Sequence, residues 1–129
     1  PAHWHVDPLT AERTGRPNDY LVAPEGQGAS TPDRVLDILG SDPTSLMTRF
    51  DAIARAAPRT RVLAGRPEDL FVTYVQHTPW IGFPDYVSVR AIEVPGGASL
   101  AIWSRARYGY GDFGVNAARV AGWLDALSR

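Results

Sequence analysis

Hydrophobic and polar positions alternate through the second half of the chain, and this period-two pattern predicts a run of β-strands. Four strands are expected, at residues 60–64, 70–77, 86–94 and 98–107. Gly96 and Gly97 separate the last two strands, which is typical of a tight hairpin. A further short strand is expected at 19–23, at an edge of the sheet, because Pro24 would end it.

Three other segments carry apolar residues at helical spacing beside a helix-start signal. Thr31-Pro32 predicts a short helix that ends at Gly40, and Asp42-Pro43 predicts a longer one that ends at Pro58. Asn116 is expected to cap the last helix. The apolar residues expected to face the core from the two longer helices include Phe50, Ile53, Trp123, Leu124 and Leu127.

The strands run consecutively and the helices lie outside that run, which predicts an α+β fold. We expect an antiparallel sheet of about four to five strands with helices packed on one face, a two-layer arrangement. A helix-grip shape, in which the sheet curls round the last helix, is one form of it. Residues 17–129 are expected to form a single domain, and the proline-rich residues 1–16 an extended segment that must lie on something to be ordered.

Composition excludes several kinds of chemistry. The 129 residues contain no Cys, so disulfides, thiol nucleophiles and cysteine metal sites are excluded. All 13 basic residues are Arg, so no lysine is present for Schiff-base chemistry. The net charge of -1 gives no bulk electrostatic reason to expect a nucleic-acid partner. No stretch approaches the roughly 18 apolar residues that span a bilayer.

A face of arginines and aromatic residues is predicted on the last two strands. If Gly96 and Gly97 are the turn residues, counting back along the strands places six side chains on one face. The expected pairs are Arg90 opposite Trp103, Ser88 opposite Arg105 and Tyr86 opposite Arg107. The helices are expected to pack on the other face, which carries small and apolar residues, among them Val87, Val89, Leu100 and Ile102.

Three interpretations of the arginine face stay open. It could be a solvated sheet face on which Arg90 stacks on Trp103 as a cation–π pair. It could be a platform for an anionic ligand, because the arginine fork matches carboxylate and phosphate groups. It could also be a protein interface, where Arg, Tyr and Trp are enriched.

His77 and Asp85 are the candidates for catalysis. His77 ends one predicted strand and Asp85 begins the next, so the pair could act as a general base with its orienting carboxylate, or form a structural hydrogen bond. The sequence contains no P-loop and no G-x-S-x-G elbow, and Gly109, Gly111 and Gly114 follow no βαβ unit, so no dinucleotide-binding motif is indicated. No metal site and no cofactor is predicted, since His3 and His5 lack further ligands nearby in the sequence.

Two further polar residues lie at the turn between the last strand and the last helix. Asp112 is expected to bind backbone N–H groups of this turn, or to pair with Arg105 or Arg107. An ion pair that joins Asp112 or Asp85 to one of these two arginines is expected to hold the corner together.

The corner carries a family resemblance over residues 104–116 and Arg119, which read S-R-A-R-Y-G-Y-G-D-F-G-V-N-x-x-R. This stretch resembles the S-R-S-R-x-G-Y-S-D-L-G-V-N-x-x-R motif of the family called domain of unknown function 1499. Residues 82–86 and Pro17-Asn18 resemble two other family elements, so the likeness covers about 17–128. The chain departs from the family at Ala106, Gly111 and Phe113, and it lacks the Cys of many relatives.

The resemblance implies a location but no substrate. The family has no established activity, and its bacterial members often carry an N-terminal membrane helix or lipid anchor. It therefore implies an alphaproteobacterial-like envelope domain on the periplasmic side, with residues 1–16 as the linker from an anchor that this chain lacks.

The leading hypothesis is a non-enzymatic, membrane-tethered domain that binds a small anionic or amphipathic ligand, or a protein partner, at the arginine-rich corner. The candidate ligand-binding residues are Arg90, Arg105, Arg107, Tyr86, Trp103, Asp112 and Asn116. One alternative is a small enzyme in which His77 and Asp85 form the base pair and Arg105 or Arg107 holds an anionic substrate. Another is an accessory subunit of a membrane protein complex.

Overall fold

The computed structural model of the protein describes residues 2–109 and 111–129. Within them a six-stranded sheet has the order β2-β1-β6-β5-β4-β3. The strands are β1 (Asp19–Pro24), β2 (Arg34–Leu36), β3 (Thr60–Arg66), β4 (Phe71–His77), β5 (Pro84–Val94) and β6 (Gly97–Ala106). The helices are α1 (Pro43–Ala56) and α2 (Val115–Leu127), with short 3-10 turns at Ala2–Trp4, Pro8–Thr10 and Pro67–Asp69. Tyr110 of the corner motif lies outside the described residues.

The fold is α+β, as predicted, but the sheet is larger and mixed. Six strands are present instead of four to five, and β1 pairs with β2 in parallel while the other neighbours are antiparallel. The helix predicted after Thr31-Pro32 is wrong, because residues 34–36 form β2. The strand at 19–23 is confirmed, but it lies between β2 and β6 and is not an edge strand.

The backbone of β1 explains why the segment at 34–36 is a strand. Asp33 donates its backbone N–H to the carbonyl of Leu21 at 2.7 Å, and its carboxylate accepts the Leu21 N–H at 2.9 Å. These bonds place the following residues alongside β1, whose backbone groups would otherwise lack partners on that side. A helix of so few residues would have little stability of its own.

The hairpin between β5 and β6 turns one residue earlier than predicted, and the pairing of the two strands is therefore shifted by two positions. Val94 pairs with Gly97, so Pro95 and Gly96 form the turn. Proline suits the first central position of a turn, and Gly96 takes the positive φ of 89° at the second. Arg90 therefore pairs with Ala101, Ser88 with Trp103 and Tyr86 with Arg105. A shift by two leaves every side chain on its predicted face.

Both helices cover one face of the sheet, as predicted. The rings of Phe50, Tyr74 and Trp123 meet at centroid distances of 5.8 to 6.3 Å. The buried core cluster includes Phe50, Val87, Val89, Leu100, Ile102, Trp123, Leu124 and Leu127, while Ile53 is partly buried against it. Asp42 caps α1 by accepting the N–H of Ser45 at 2.8 Å, which confirms that helix start.

Candidate functional site

The arginine face of the sheet lies under the first part of the chain. Residues 2–11 cross this face, and the Trp4 ring stacks on Tyr86 at 4.3 Å between centroids. His5 stacks on Phe71 at 3.8 Å, and its Nδ1 shares a hydrogen bond of 2.7 Å with Thr73. Asp7 forms an ion pair with Arg90. The face is therefore an internal surface over much of its area.

Arg105 lies at the centre of this covered face and is only 4% exposed. Its guanidinium donates to Ser88 Oγ at 2.9 Å, to the carbonyl of Trp103 at 3.0 Å and to the carbonyl of Trp4. Its Cζ lies 4.3 Å from the centroid of the Trp103 ring. Cation–π stacking on Trp103 is thus observed, but with Arg105 in place of the predicted Arg90.

No carboxylate is in contact with Arg105 among the described residues, so its positive charge is poorly compensated. Burial lowers the pKa of Arg105 to about 10, while the charges of Asp19 and Tyr86 partly oppose this shift. Within the described part of the chain, Arg105 Nε and Trp4 Nε1 are buried without a hydrogen-bond partner. Asp19 is held away from Arg105 by two bonds of 3.0 Å from Arg13 and one of 2.8 Å from Trp103 Nε1.

A second polar network lies on the helix side of the sheet, at the corner. Arg119 of α2 forms an ion pair with Asp85 at 2.6 Å, and both side chains are 5% exposed. Arg119 also donates to Gln76 Oε1, to Ser104 Oγ at 3.0 Å and to Asn116 Oδ1 at 2.6 Å. The corner is therefore held by a buried ion pair, as predicted, but the arginine is Arg119 and neither Arg105 nor Arg107.

The protonation of Asp85 reflects two opposing effects. Burial raises the pKa of Asp85, and the nearby charge of Asp112 adds to this, whereas the hydrogen bond and charge of Arg119 lower it. Burial is the largest effect, so the pKa lies above its usual value. The pair therefore holds its charges at a considerable desolvation cost.

Asp112 organises the turn into α2, and Asn116 does not cap it. Gly114 occupies the N-cap position, and Asp112 accepts the backbone N–H groups of Gly114 at 2.8 Å and Asn116 at 3.1 Å. The predicted binding of turn N–H groups by Asp112 is confirmed. Asn116 is instead fully buried and bonds Ser104, Asp112 and the carbonyl of Asn18. Its amide joins three separate segments at the corner.

His77 and Asp85 are not brought together. Asp85 pairs with Gln76 across the ladder, while His77 pairs with Pro84. Because side chains alternate along a strand, Asp85 points toward α2 and His77 toward the opposite face. The hydrogen bond that a histidine base with an orienting carboxylate needs is not formed.

Arg107 is the exposed arginine of the predicted set that forms no ion pair among the described residues. The Arg107 Nη1 donates to the Tyr86 hydroxyl at 3.2 Å, and the Arg107 Cζ lies 5.3 Å from the centroid of the Tyr108 ring. Tyr108 in turn contacts Phe83 at 5.6 Å between rings. An exposed guanidinium therefore lies beside an exposed aromatic pair.

Sequence reasoning named Arg119 only as the last residue of the family motif and gave it no role, and it missed the residues of the first segment. Arg119 stands three positions after Asn116, which places both on the same side of a helix, and that spacing could have indicated a shared partner. Trp4 carried a weaker signal, as an aromatic residue in a proline-rich segment that needs a surface. No local pattern indicated which surface that was.

The described residues hold neither a metal-binding cluster nor a membrane-spanning helix. Across residues 2–109 and 111–129, no group of three or more His, Asp or Glu side chains is placed to hold a metal ion. In the same residues no helix has the length and apolar character needed to cross a bilayer.

Comparison with known proteins identifies a family. No curated protein and no solved structure matches the chain. A family model described as "Protein of unknown function (DUF1499)" matches residues 11–127, which include the buried ion pair, the Asp112 turn and the exposed Arg107. The match covers nearly the whole chain, and the protein belongs to this DUF1499 family.

Proposed function

We propose that this protein is a non-enzymatic, membrane-tethered domain on the periplasmic side of a bacterial envelope. It binds an anionic, amphipathic ligand at the corner where β6 leads into α2, beside Arg107. The observation that carries the proposal is the exposed Arg107 beside Tyr108 and Phe83. A guanidinium recognises phosphate, sulfate or carboxylate groups, and adjacent aromatic rings provide apolar contact for an attached chain.

The other arginines of the predicted platform contribute less to binding in this proposal. Arg90 is already paired with Asp7, and Arg105 is buried beneath Trp4. A ligand could reach Arg105 only after residues 2–7 had moved. Arg107 needs no such movement, and it forms no ion pair with a carboxylate among the described residues.

The geometry favours binding over catalysis. The enzyme alternative needs His77 and Asp85 to cooperate, and they lie on opposite faces of the sheet. Asp85 is further committed to Arg119. The accessory-subunit alternative would use the same exposed corner, with a protein in place of the ligand.

Monomeric dodecyl phosphate, kept below its critical micelle concentration, tests this proposal. In an NMR titration, this ligand should shift the signals of Arg107 and Tyr108. In thermal unfolding, it should raise the melting temperature by mass action. Arg107→Gln removes one charge-assisted bond, so affinity should fall by roughly tenfold. Inorganic phosphate should bind more weakly, because it offers no apolar chain to the aromatic rings.

Arg66→Gln is the matched control. Arg66 is an exposed arginine at the far end of β3 whose partners are the exposed Glu68 and Asp69. Arg66→Gln lowers the net charge as much as Arg107→Gln does, but it should leave the affinity for dodecyl phosphate unchanged. An equal loss of affinity in both variants would show that only the net charge of the protein matters, and not the position of Arg107. A wild-type protein that does not bind dodecyl phosphate would refute the proposed ligand class.

A further inference from the structure

The exposed apolar side chains of this protein are concentrated at one end of the sheet. Six of the eight large hydrophobic side chains that are exposed among the described residues come from 78–83 and 107–115, which we call the loop end. These six are Trp80, Ile81, Phe83, Tyr108, Phe113 and Val115. Clustering of this kind marks an interaction surface, whereas scattered exposed residues need no explanation.

The two loops form one surface. The first connects β4 to β5 and the second connects β6 to α2, and β5 and β6 are neighbours in the sheet. Contact between the Phe83 and Tyr108 rings joins the loops directly. A single partner could therefore touch both loops at once.

The aromatic side chains at the tips of both loops point into solvent. Trp80 and Phe113 are fully exposed, and both have positive φ values, of 71° and 53°. Bulky residues rarely adopt such values, and this strain is found mainly at functional sites. Thr78 stabilises the first loop through its backbone bonds with Gly82 and Phe83, and Asp112 stabilises the second.

The charged groups at this end present arginines to solvent. Arg107 is exposed, and so is Arg59, whose Nε donates to the carbonyl of His77 at the end of β4. The nearby carboxylates are internally bonded, Asp85 to Arg119 and Asp112 to the turn N–H groups. The loop end therefore combines apolar tips with solvent-facing cations.

We propose that the loop end docks onto the surface of an anionic phospholipid bilayer. Trp80, Ile81 and Phe113 insert at the level of the headgroups and upper acyl chains, and Arg59 and Arg107 contact lipid phosphates. This rests on the proposed function, and it names the anionic amphipathic ligand as a lipid in a membrane.

A bilayer fits this surface better than a protein partner. Trp80 and Phe113 are fully exposed, so no surrounding residue that the structure describes shields them from water as the rim of a packed protein interface would. Protein hot spots usually lie in closely packed centres from which surrounding residues exclude water. A lipid interface needs no matching pocket, and tryptophan is enriched at that depth.

Vesicle flotation with the full chain tests the inference. The wild type should float with vesicles of phosphatidylglycerol and phosphatidylcholine at low salt, and much less with phosphatidylcholine alone. Trp80→Ser combined with Phe113→Ser should reduce the partition coefficient on the order of tenfold, because two apolar tips are lost. Both residues are fully exposed, so the variant should keep the wild-type melting temperature.

Val35→Ser is the matched control, since Val35 is an exposed apolar residue on β2, outside the loop end, and its loss should leave flotation unchanged. Equal flotation of the double variant and the wild type would overturn the inference. Absence of flotation while dodecyl phosphate still binds would overturn bilayer docking but leave the proposed function. A photoreactive benzoylphenylalanine at position 81 that cross-links to a protein and not to lipid in host membranes would assign the surface to a protein partner.

Discussion

At the residue scale, both side chains of the ion pair between Asp85 and Arg119 are buried. Asp85→Ala should destabilise the protein by about 3–5 kcal/mol, because it leaves a buried guanidinium without its counter-charge. Urea unfolding would measure the difference. Asp125→Ala is the control, since it breaks an exposed pair with Arg129 and should cost about 0–1 kcal/mol. Equal, small effects would show that the corner does not depend on this pair.

His5 gives a pH dependence to the packing of the first segment. Burial, together with the charge of Arg105, lowers the pKa of His5. The packed segment therefore binds fewer protons than the detached one, so its packing is favoured above pH 6.5 and weakens as pH falls through the lowered pKa. NMR titration of the His5 ring should give a pKa below 6.5, with His5→Gln to assign the signal. A value at or above 6.5 would contradict this packing.

At the element scale, residues 2–11 act as a third layer over the arginine face of the sheet. Trp4→Ala removes the stacking on Tyr86 and the cover over Arg105, and should cost about 1–2 kcal/mol. Urea unfolding would measure this cost. His3→Ala is the control, as His3 is exposed beside Trp4. An unchanged free energy of unfolding in the Trp4 variant would show that the segment is held by other contacts.

The elements also show what the sequence could and could not predict. The faces of β5 and β6 were predictable despite the wrong register, because a turn that lies one residue earlier shifts the pairing by two positions and the side-chain period is two. The strand at 34–36 was not, because its conformation depends on bonds between Asp33 and the distant Leu21. Local signals at Thr31-Pro32 resembled a helix start, and tertiary pairing overrode them.

At the scale of the whole molecule, the candidate site was predictable in composition but not in exposure. Tyr86, Trp103 and Arg105 share a face, as their spacing indicated, yet residues 2–11 cover Tyr86 and Arg105. Burial of this kind depends on contacts across more than 80 positions, such as that between Trp4 and Ser88. Arg107 stays open because it lies beyond the end of β6.

The edges of the sheet bear on how the protein behaves at high concentration. One edge is β2, which is only three residues long and carries the exposed Arg34, and it covers the apolar residues of β1. The other edge is β3, where the pairing shifts between Val62 and Ala64 and Arg61 is exposed. Short length, charge and a bulge all discourage the addition of a strand from another molecule. Both open edges of the sheet are thus poor templates for aggregation.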